Sequence, residues 1–489
     1  MDELGYVSWD ENHRNGQLDQ VPWLIKRDRN HPSVVIWSIC NEVLCNSKGN
    51  AKDAIAMKEL MHELDPLGNR PVSANQNGWE GPKTPLDVQG FDCKHSCSLC
   101  ISLVLRPYKA ASARTDSTQN YDPWHAKYPA LPIISSETSS AVSDRGEYGP
   151  GNTAWKGNAT TAHVTGYDTD YPGWGESAEM AWGGINEKGG EGILTRPFIS
   201  GGWTWTGWDY RGEPTPYAWP NVNSHFGIMD LCGFWKDRTH WYASWFPTVN
   251  EPVTKDVHLH AFPHWNWAEG DKIDIWSFSN AAAVGLEVNG KSVACEGGPD
   301  TSMAANACPM PKYGHVEWKA VAFAKGSYTV TGYDASGGVV GTKTVSTTGA
   351  PAKLAASIPA TTPTSLYAGC GDMALVQVEV LDADGNLCPD PDNTDNSEIT
   401  FAVSGTPTAW VEGSGNGDPS CQVNNKSPTR PAYHGLALGV IGSGNATGTI
   451  TVQVSSPGLT SASVEIEVKA QDPTAKDFSE KWCWTGPKW

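Results

Sequence analysis

Two short apolar runs, each ending on a glutamate, constrain this 489-residue chain more than any other feature. One is RDRNHPSVVIWSICNE, from Arg27 to Glu42; the other is PIISSE, ending at Glu137. In each, β-branched residues (Val34, Val35 and Ile36; Ile133 and Ile134) follow a proline in a run too short for a helix. Such a run reads as a strand buried on both faces of a parallel sheet. A carboxylate at the C-terminal end of such a strand, in a chain where strands alternate with helices, lies where (β/α)8 barrels carry their reactive groups. Two glutamates on different strands, facing each other across the barrel mouth, can divide acid–base and nucleophilic work between them.

The wider sequence repeats this alternation. Tyr6 to Trp9 reads as a strand leading to Asp10 and Glu11, and Leu18 to Lys26 as an amphipathic segment. Met57, Leu60, Met61 and Leu64 form a helical stripe over 51–64 that Pro66 and Gly68 stop. Short strands are expected at 71–75, 86–91, 132–137 and 198–205, with a helix near 176–187. NHPSVVIWSICNE resembles the acid/base signature of glycoside hydrolase family 2, and PIISSETSS the strand carrying that family's nucleophile. FISGGWTWTGWDYRGEPTPYAWPNVNSHFGIMDLCGFWKD, from Phe198 to Asp237, is similar to the last barrel strand and active-site wall of its β-galactosidase members. The resemblance implies a retaining two-glutamate mechanism, with Glu42 as general acid/base and Glu137 as nucleophile. Without the flanking motifs, either Glu would read as a solvated strand end or half of an ion pair.

Charge and composition exclude several classes. The chain carries 54 acidic against 35 basic residues, a formal charge of −19, which is unfavourable for neutralising a phosphate backbone, so nucleic acid is not expected as a partner. No apolar run is long enough to span a membrane as a helix, and MDELGYVSWDE lacks the apolar core of a signal peptide. The 23 tryptophans suit either a large aromatic core or stacking on the C–H faces of sugars. Cys295, Cys308, Cys370, Cys388 and Cys421 in the second half, with sequons at Asn158 and Asn445, favour an extracellular or secretory compartment.

The expected fold is an incomplete (β/α)8 TIM barrel over 1–247 followed by two all-β, Ig-like sandwiches over 250–348 and 353–470, with a Trp-rich tail over 471–489. Alternating runs such as KIDIWSFSN and VGLEVNGKSV, joined to an Asn289-Gly290 turn, mark the first sandwich. ALVQVEVLDADGN, EITFAVSG, TGTITVQVSS and SASVEIEVKA mark the second. Six barrel strands are counted where eight are needed, so the chain reads as starting inside the barrel, with impaired activity expected. Residues 93–119 read as an insertion; their C-x3-C-x2-C spacing at Cys93, Cys97 and Cys100 matches an iron–sulfur motif, but no supporting strand pattern surrounds it. Neither a metal nor another cofactor is expected.

The resemblance places Asn41 on the substrate's 2-hydroxyl, Trp205 on the floor of the sugar subsite, and Trp203 and Asp209 close behind it. Asp10 and Glu11, at the end of their strand, are candidate acceptors for sugar hydroxyls. The alternative for Asn41 is a turn-forming residue, and any of these tryptophans could belong to the core. Arg145 and His225 read as surface ion-pair residues in loops. The Asn-x-Lys pair with which β-glucuronidases of the family hold a sugar carboxylate does not occur between Phe198 and Asp237, so a neutral hexose is expected. The expected partner is a β-linked oligosaccharide or glycoconjugate, with β-galactoside hydrolysis as the first reading. A β-mannosidase, a β-glucosidase-like enzyme and a non-catalytic carbohydrate-binding or structural chain are the alternatives.

Overall fold

The computed structural model describes residues 2–3, 11–41, 51–65, 70–75, 86–91, 121–148, 167, 177–184, 192–214, 217–246, 257–295, 298, 304, 306–360, 362–389, 397–406 and 408–470. Asp10, Glu42, the 93–119 insertion with its cysteines, the Asn158 sequon and the Trp-rich tail lie outside them. The chain divides into two compact units: 1–142 with 168–207 and 312–314, and 143–167 with 208–311 and 315–489.

The first unit is built on parallel strands. β1 (Asp2–Glu3), β2 (Trp37–Asn41) and β3 (Val72–Asn75) form one sheet; β4 (Gln89–Phe91), β5 (Ile133–Thr138) and β6 (Ile199–Thr204) form another. Every pairing within them is parallel, as crossover connections require. β3 and β4 pass so closely that a Cβ on Gly90 would lie 2.1 Å from the Ala74 carbonyl oxygen, so only glycine fits there. α1 (Glu11–Asp28) and α2 (Ala51–Leu64) cover the first sheet, packing Val21, Leu24, Ile25, Met57 and Met61 against Trp37, Ile39, Val72 and Ala74.

Two sequence expectations shift here. The strand of the first motif starts at Trp37, after the Val34–Ile36 run, and Val35 is 57% exposed. The Val34 amide closes a turn onto the His31 carbonyl (3.1 Å), and Arg70 Nε donates to the Val34 carbonyl (2.8 Å), so those hydrogen bonds go to a turn and a side chain instead of a ladder. Glu11 opens α1 and does not end a strand; the strand paired with β2 is Asp2–Glu3.

The second unit holds two β-layered bodies. In the first, β7 (Leu259–Phe262), β8 (Lys272–Ser279) and β12 (Val316–Ala322) form one sheet. The other sheet contains β9 (Ala283–Val288), β10 (Lys291–Val293), β11 (Cys308–Pro309), β13 (Ser327–Tyr333) and β14 (Val339–Ser346). Ile273, Ile275 and Trp318 pack with Val284, Leu286 and Val330 in its core. Asn289 (φ 49°) and Gly290 (φ 73°) make the expected left-handed hairpin turn. A Cys295–Cys308 disulfide, Cα atoms 6.2 Å apart, ties a loop end to β11.

In the second body, β15 (Lys353–Ser357), β17 (Met373–Leu381), β21 (Leu436–Ser443) and β19 (Ala409–Gly415) form a four-stranded sheet. The facing sheet runs β16 (Ser365–Tyr367), β23 (Ala462–Lys469), β22 (Gly448–Ser455), β18 (Glu398–Thr406) and β20 (Thr429–Pro431). Val376, Val378, Ile441, Ile450, Val452 and Ile466 close the core between them, each from an inward position of an alternating strand.

A histidine cluster joins α3 (Asp237–Trp245 in this unit) to β7. His240 and His260 stack with centroids 3.6 Å apart, His240 Nδ1 lies 3.0 Å from His258 Nε2, and His260 Nε2 donates to Asp237 Oδ1 at 2.7 Å. Burial pushes His240 down to about 2 and His264 to about 3, and lowers His258 and His260. An unfolded histidine binds its proton near pH 6.5, so below about that pH the unfolded chain takes up more protons and these four groups lose stability. Burial raises Asp209 and Asp237 to about 6, which acts in the opposite sense between roughly pH 4 and 6 but involves fewer groups. The melting temperature should therefore fall between pH 7 and pH 5, and His240→Gln should shrink that fall. Thermal scans at the two pH values would refute this if the two chains matched.

Candidate active site

Glu137 is the penultimate residue of β5, half-buried between the buried Ser136 and Thr138. β5 is held on one side by β4 (Phe91 opposite Ser135) and on the other by β6 (Thr138 opposite Thr204). Tyr121, from the helix Tyr121–Lys127, donates its hydroxyl to Ser135 Oγ (2.9 Å), and Gly202 lets β6 approach, since a Cβ there would lie 3.0 Å from that of Ser135. Thr138 Oγ1 and Ser139 Oγ are buried without a hydrogen-bond partner among the described residues.

Trp205 follows β6 directly, and its backbone N–H donates to the Thr138 carbonyl (2.8 Å), which holds it beside the residue after Glu137. Its peptide bond to Thr206 is cis. Trp203, two residues earlier, is 37% exposed. Asn41 ends β2 opposite Asn75, and Glu42 is the next residue in the chain. The structure thus places Glu137, Asn41 and Trp205 at C-terminal ends of parallel strands in one unit. It does not bring Glu11 to a strand end.

Asp209 belongs to the second unit and is buried. Its Oδ2 pairs with Lys236 Nζ (2.7 Å) and its Oδ1 accepts the Gly227 N–H (2.8 Å), so both oxygens are engaged within the second unit. Burial outweighs Lys236 and raises its carboxyl to about 6. Lys236 Nζ also donates to the carbonyls of Ser143 (2.6 Å) and His225 (3.2 Å). Arg145 and His225 are not on the surface, as expected from their loops, but buried: Arg145 Nε bonds Asp230 Oδ2 (2.8 Å), and His225 Nδ1 lies 2.7 Å from Asp144 Oδ1. Their partners stand 81 to 85 positions away, and nothing local in the sequence marks them. Tyr433 and His434, which bond Glu147 from 286 and 287 positions away, carry no local mark of that contact either. Trp208, Trp219 and Trp235 project exposed indoles from this block. No cluster of three metal-ligating side chains occurs among the described residues.

Parallel strands, one of them carrying a half-buried glutamate near its C-terminal end, with β-layered bodies following, define a β/α-type frame. Models of the glycosyl hydrolases family 2 TIM barrel domain and of glycoside hydrolase family 2 C-terminal domain 5 match residues 3–158 and 360–465. A third model, for a domain of unknown function, matches residues 270–341. A β-galactosidase of Bacteroides ovatus, BoGH2A, is 34% identical over 91% of this chain and 50% of its own length. A β-glucuronidase of Formosa agariphila is 26% identical over 91% of this chain and 38% of its own. A solved β-glycosidase from Bacteroides vulgatus shares the fold at a TM-score of 0.68, with 24% identity, over 91% of this chain and 52% of that one. The chain belongs to glycoside hydrolase family 2. It spans half or less of the length of these curated relatives.

Proposed function

We propose that this chain supplies the catalytic glutamates of a retaining β-galactosidase, Glu137 as nucleophile and Glu42 as acid/base. The observation that carries the reading is Glu137 at the C-terminal end of a parallel strand, with Trp205 hydrogen-bonded to the next residue. Retention asks that the two carboxyl groups lie about 5 to 5.5 Å apart. Asn41, beside the acid/base, would bind the 2-hydroxyl, and Trp205, with Trp203 behind it, would offer an indole face to the sugar ring. Asp10 and Glu11 remain proposed sugar-hydroxyl acceptors; Asp209, with both oxygens engaged, would act by shaping the wall. No metal or other cofactor is part of this mechanism, and no helix among the described residues is long and apolar enough to cross a membrane. The Cys295–Cys308 bridge fits an oxidising compartment.

The galactoside assignment rests on the 198–237 block and on the missing Asn-x-Lys pair. The relatives named β-glucuronidases favour a second reading, in which a sugar carboxylate is held by other cations. Nitrophenyl β-galactoside, β-glucuronide, β-mannoside and β-glucoside should be compared at equal concentration. We expect kcat/KM for the galactoside to exceed that for the glucuronide by about 10²-fold, because a site without a cation for the sugar carboxylate leaves that charge unpaired. A glucuronide preference would overturn the sugar assignment, and no turnover of any of the four would favour a binding or structural chain.

A further inference from the structure

The segment that leaves the nucleophile strand is clamped residue by residue. Ser143 donates its N–H to the His225 carbonyl (3.2 Å) and accepts from Lys236 (2.6 Å). Asp144 holds His225, and Arg145 holds Asp230, whose other oxygen accepts the N–H groups of Cys232 (2.9 Å) and Phe234 (3.0 Å). The Arg145 guanidinium also donates to the Asn416 carbonyl (2.8 Å) and lies between the rings of Phe234 (5.1 Å) and Tyr433 (5.2 Å). Gly146, at φ +78°, leaves no room for a side chain, since a Cβ would lie 2.4 Å from the His434 ring. Glu147 accepts from His434 Nε2 (2.9 Å) and the Tyr433 hydroxyl (3.1 Å).

Loops leaving a strand usually run through solvent, yet 139–145 are all buried. Removing Asp144, Arg145 and Asp230 from water is costly, and such charges persist only where each is paired and hydrogen-bonded. Asn416, Tyr433 and His434 come from the second β-sandwich, some 270 to 290 positions further along the chain. We propose that this sandwich is a working part of the catalytic apparatus: through Asn416, Tyr433 and His434 it clamps residues 143–147, with Arg145 as the central positioning residue, and so fixes the end of the strand that carries Glu137. The clamp acts by covalent continuity, six residues beyond Glu137, and the inference rests on Glu137 being the nucleophile. Misplacing a reacting group by about 1 Å costs on the order of 10²-fold in rate, so a slack exit segment should show in kcat.

The test compares Arg145→Lys and the double variant Tyr433→Phe/His434→Gln with the wild-type chain, using Glu412→Gln, in an exposed ion pair with Lys426, as a control. Amide exchange is read over 139–148 and over β17 and β21, and kinetics are read on whichever aryl β-glycoside the wild type cleaves best. We expect exchange over 139–148 to rise about 10-fold and kcat to fall about 10- to 100-fold with KM within about two-fold, while β17 and β21 stay protected. Unchanged exchange over 139–148, or raised exchange with unchanged kcat, overturns the proposal. So does a loss of protection spread across β17 and β21, which would make these residues a requirement of the sandwich fold alone. A wild-type chain active only on another glycoside would sink the galactoside reading and leave this comparison intact, and the exchange measurement needs no turnover.

Discussion

Glu137→Gln should reduce turnover of an aryl β-galactoside by on the order of 10⁴-fold or more while leaving thermal unfolding within about 1 °C of the wild type. The amide keeps the shape of the carboxylate but cannot attack the anomeric carbon, so the covalent glycosyl-enzyme does not form. Glu137 is half-buried at a strand end whose core neighbours are Ile133 and Ile134, and the substitution leaves that packing untouched. Glu42→Gln should cost less when the leaving group is a nitrophenolate, which needs little protonation, and azide should restore part of the rate by attacking the glycosyl-enzyme without general-base help. Initial rates with and without azide check both. A Glu137→Gln chain retaining a tenth of wild-type activity would move the nucleophile elsewhere.

Lys236→Met should destabilise the second unit by about 3–5 kcal/mol, the range for removing one partner of a buried ion pair. Lys236 is 1% exposed, and its three ammonium protons are matched by three acceptors: Asp209, the Ser143 carbonyl and the His225 carbonyl. A thioether fills the space of the side chain but leaves Asp209 with the Gly227 N–H as its remaining partner, removes the ammonium donor from the Ser143 carbonyl, and leaves the His225 carbonyl with the Ser143 N–H. Because burial already raises the Asp209 carboxyl to about 6, the loss should be larger at pH 7.5, where that group is ionised, than at pH 5. Adding Asp209→Asn should recover part of the stability by removing the uncompensated charge. Denaturant midpoints for both variants at the two pH values provide the check, and a loss below about 1 kcal/mol would show that water reaches the pair.

Much of the frame is legible in the sequence. The helix over 51–64 and the four strand runs of the second sandwich could be placed because each writes its periodicity into contiguous residues, 3.6 for the helix and 2 for strands. Asn289-Gly290 announced its hairpin because few residues accept a positive φ at both positions. Where local pattern met tertiary hydrogen bonding, the pattern gave way. Val34–Ile36 has the composition of a strand, yet Arg70 takes its carbonyl and the ladder starts at Trp37.

The candidate glutamates could be named from the sequence by itself, because strand, proline and terminal carboxylate form a local motif. The surroundings of the site could not be. That Arg145 and His225 are buried and paired, that both Asp209 oxygens are engaged within the second unit, and that Tyr433 and His434 reach Glu147 depends on residues 18 to 287 positions apart meeting in space. A charge in a loop carries no local mark of its burial. Its environment is set by whichever distant segment the chain folds against it, and only the tertiary structure decides which segment that is.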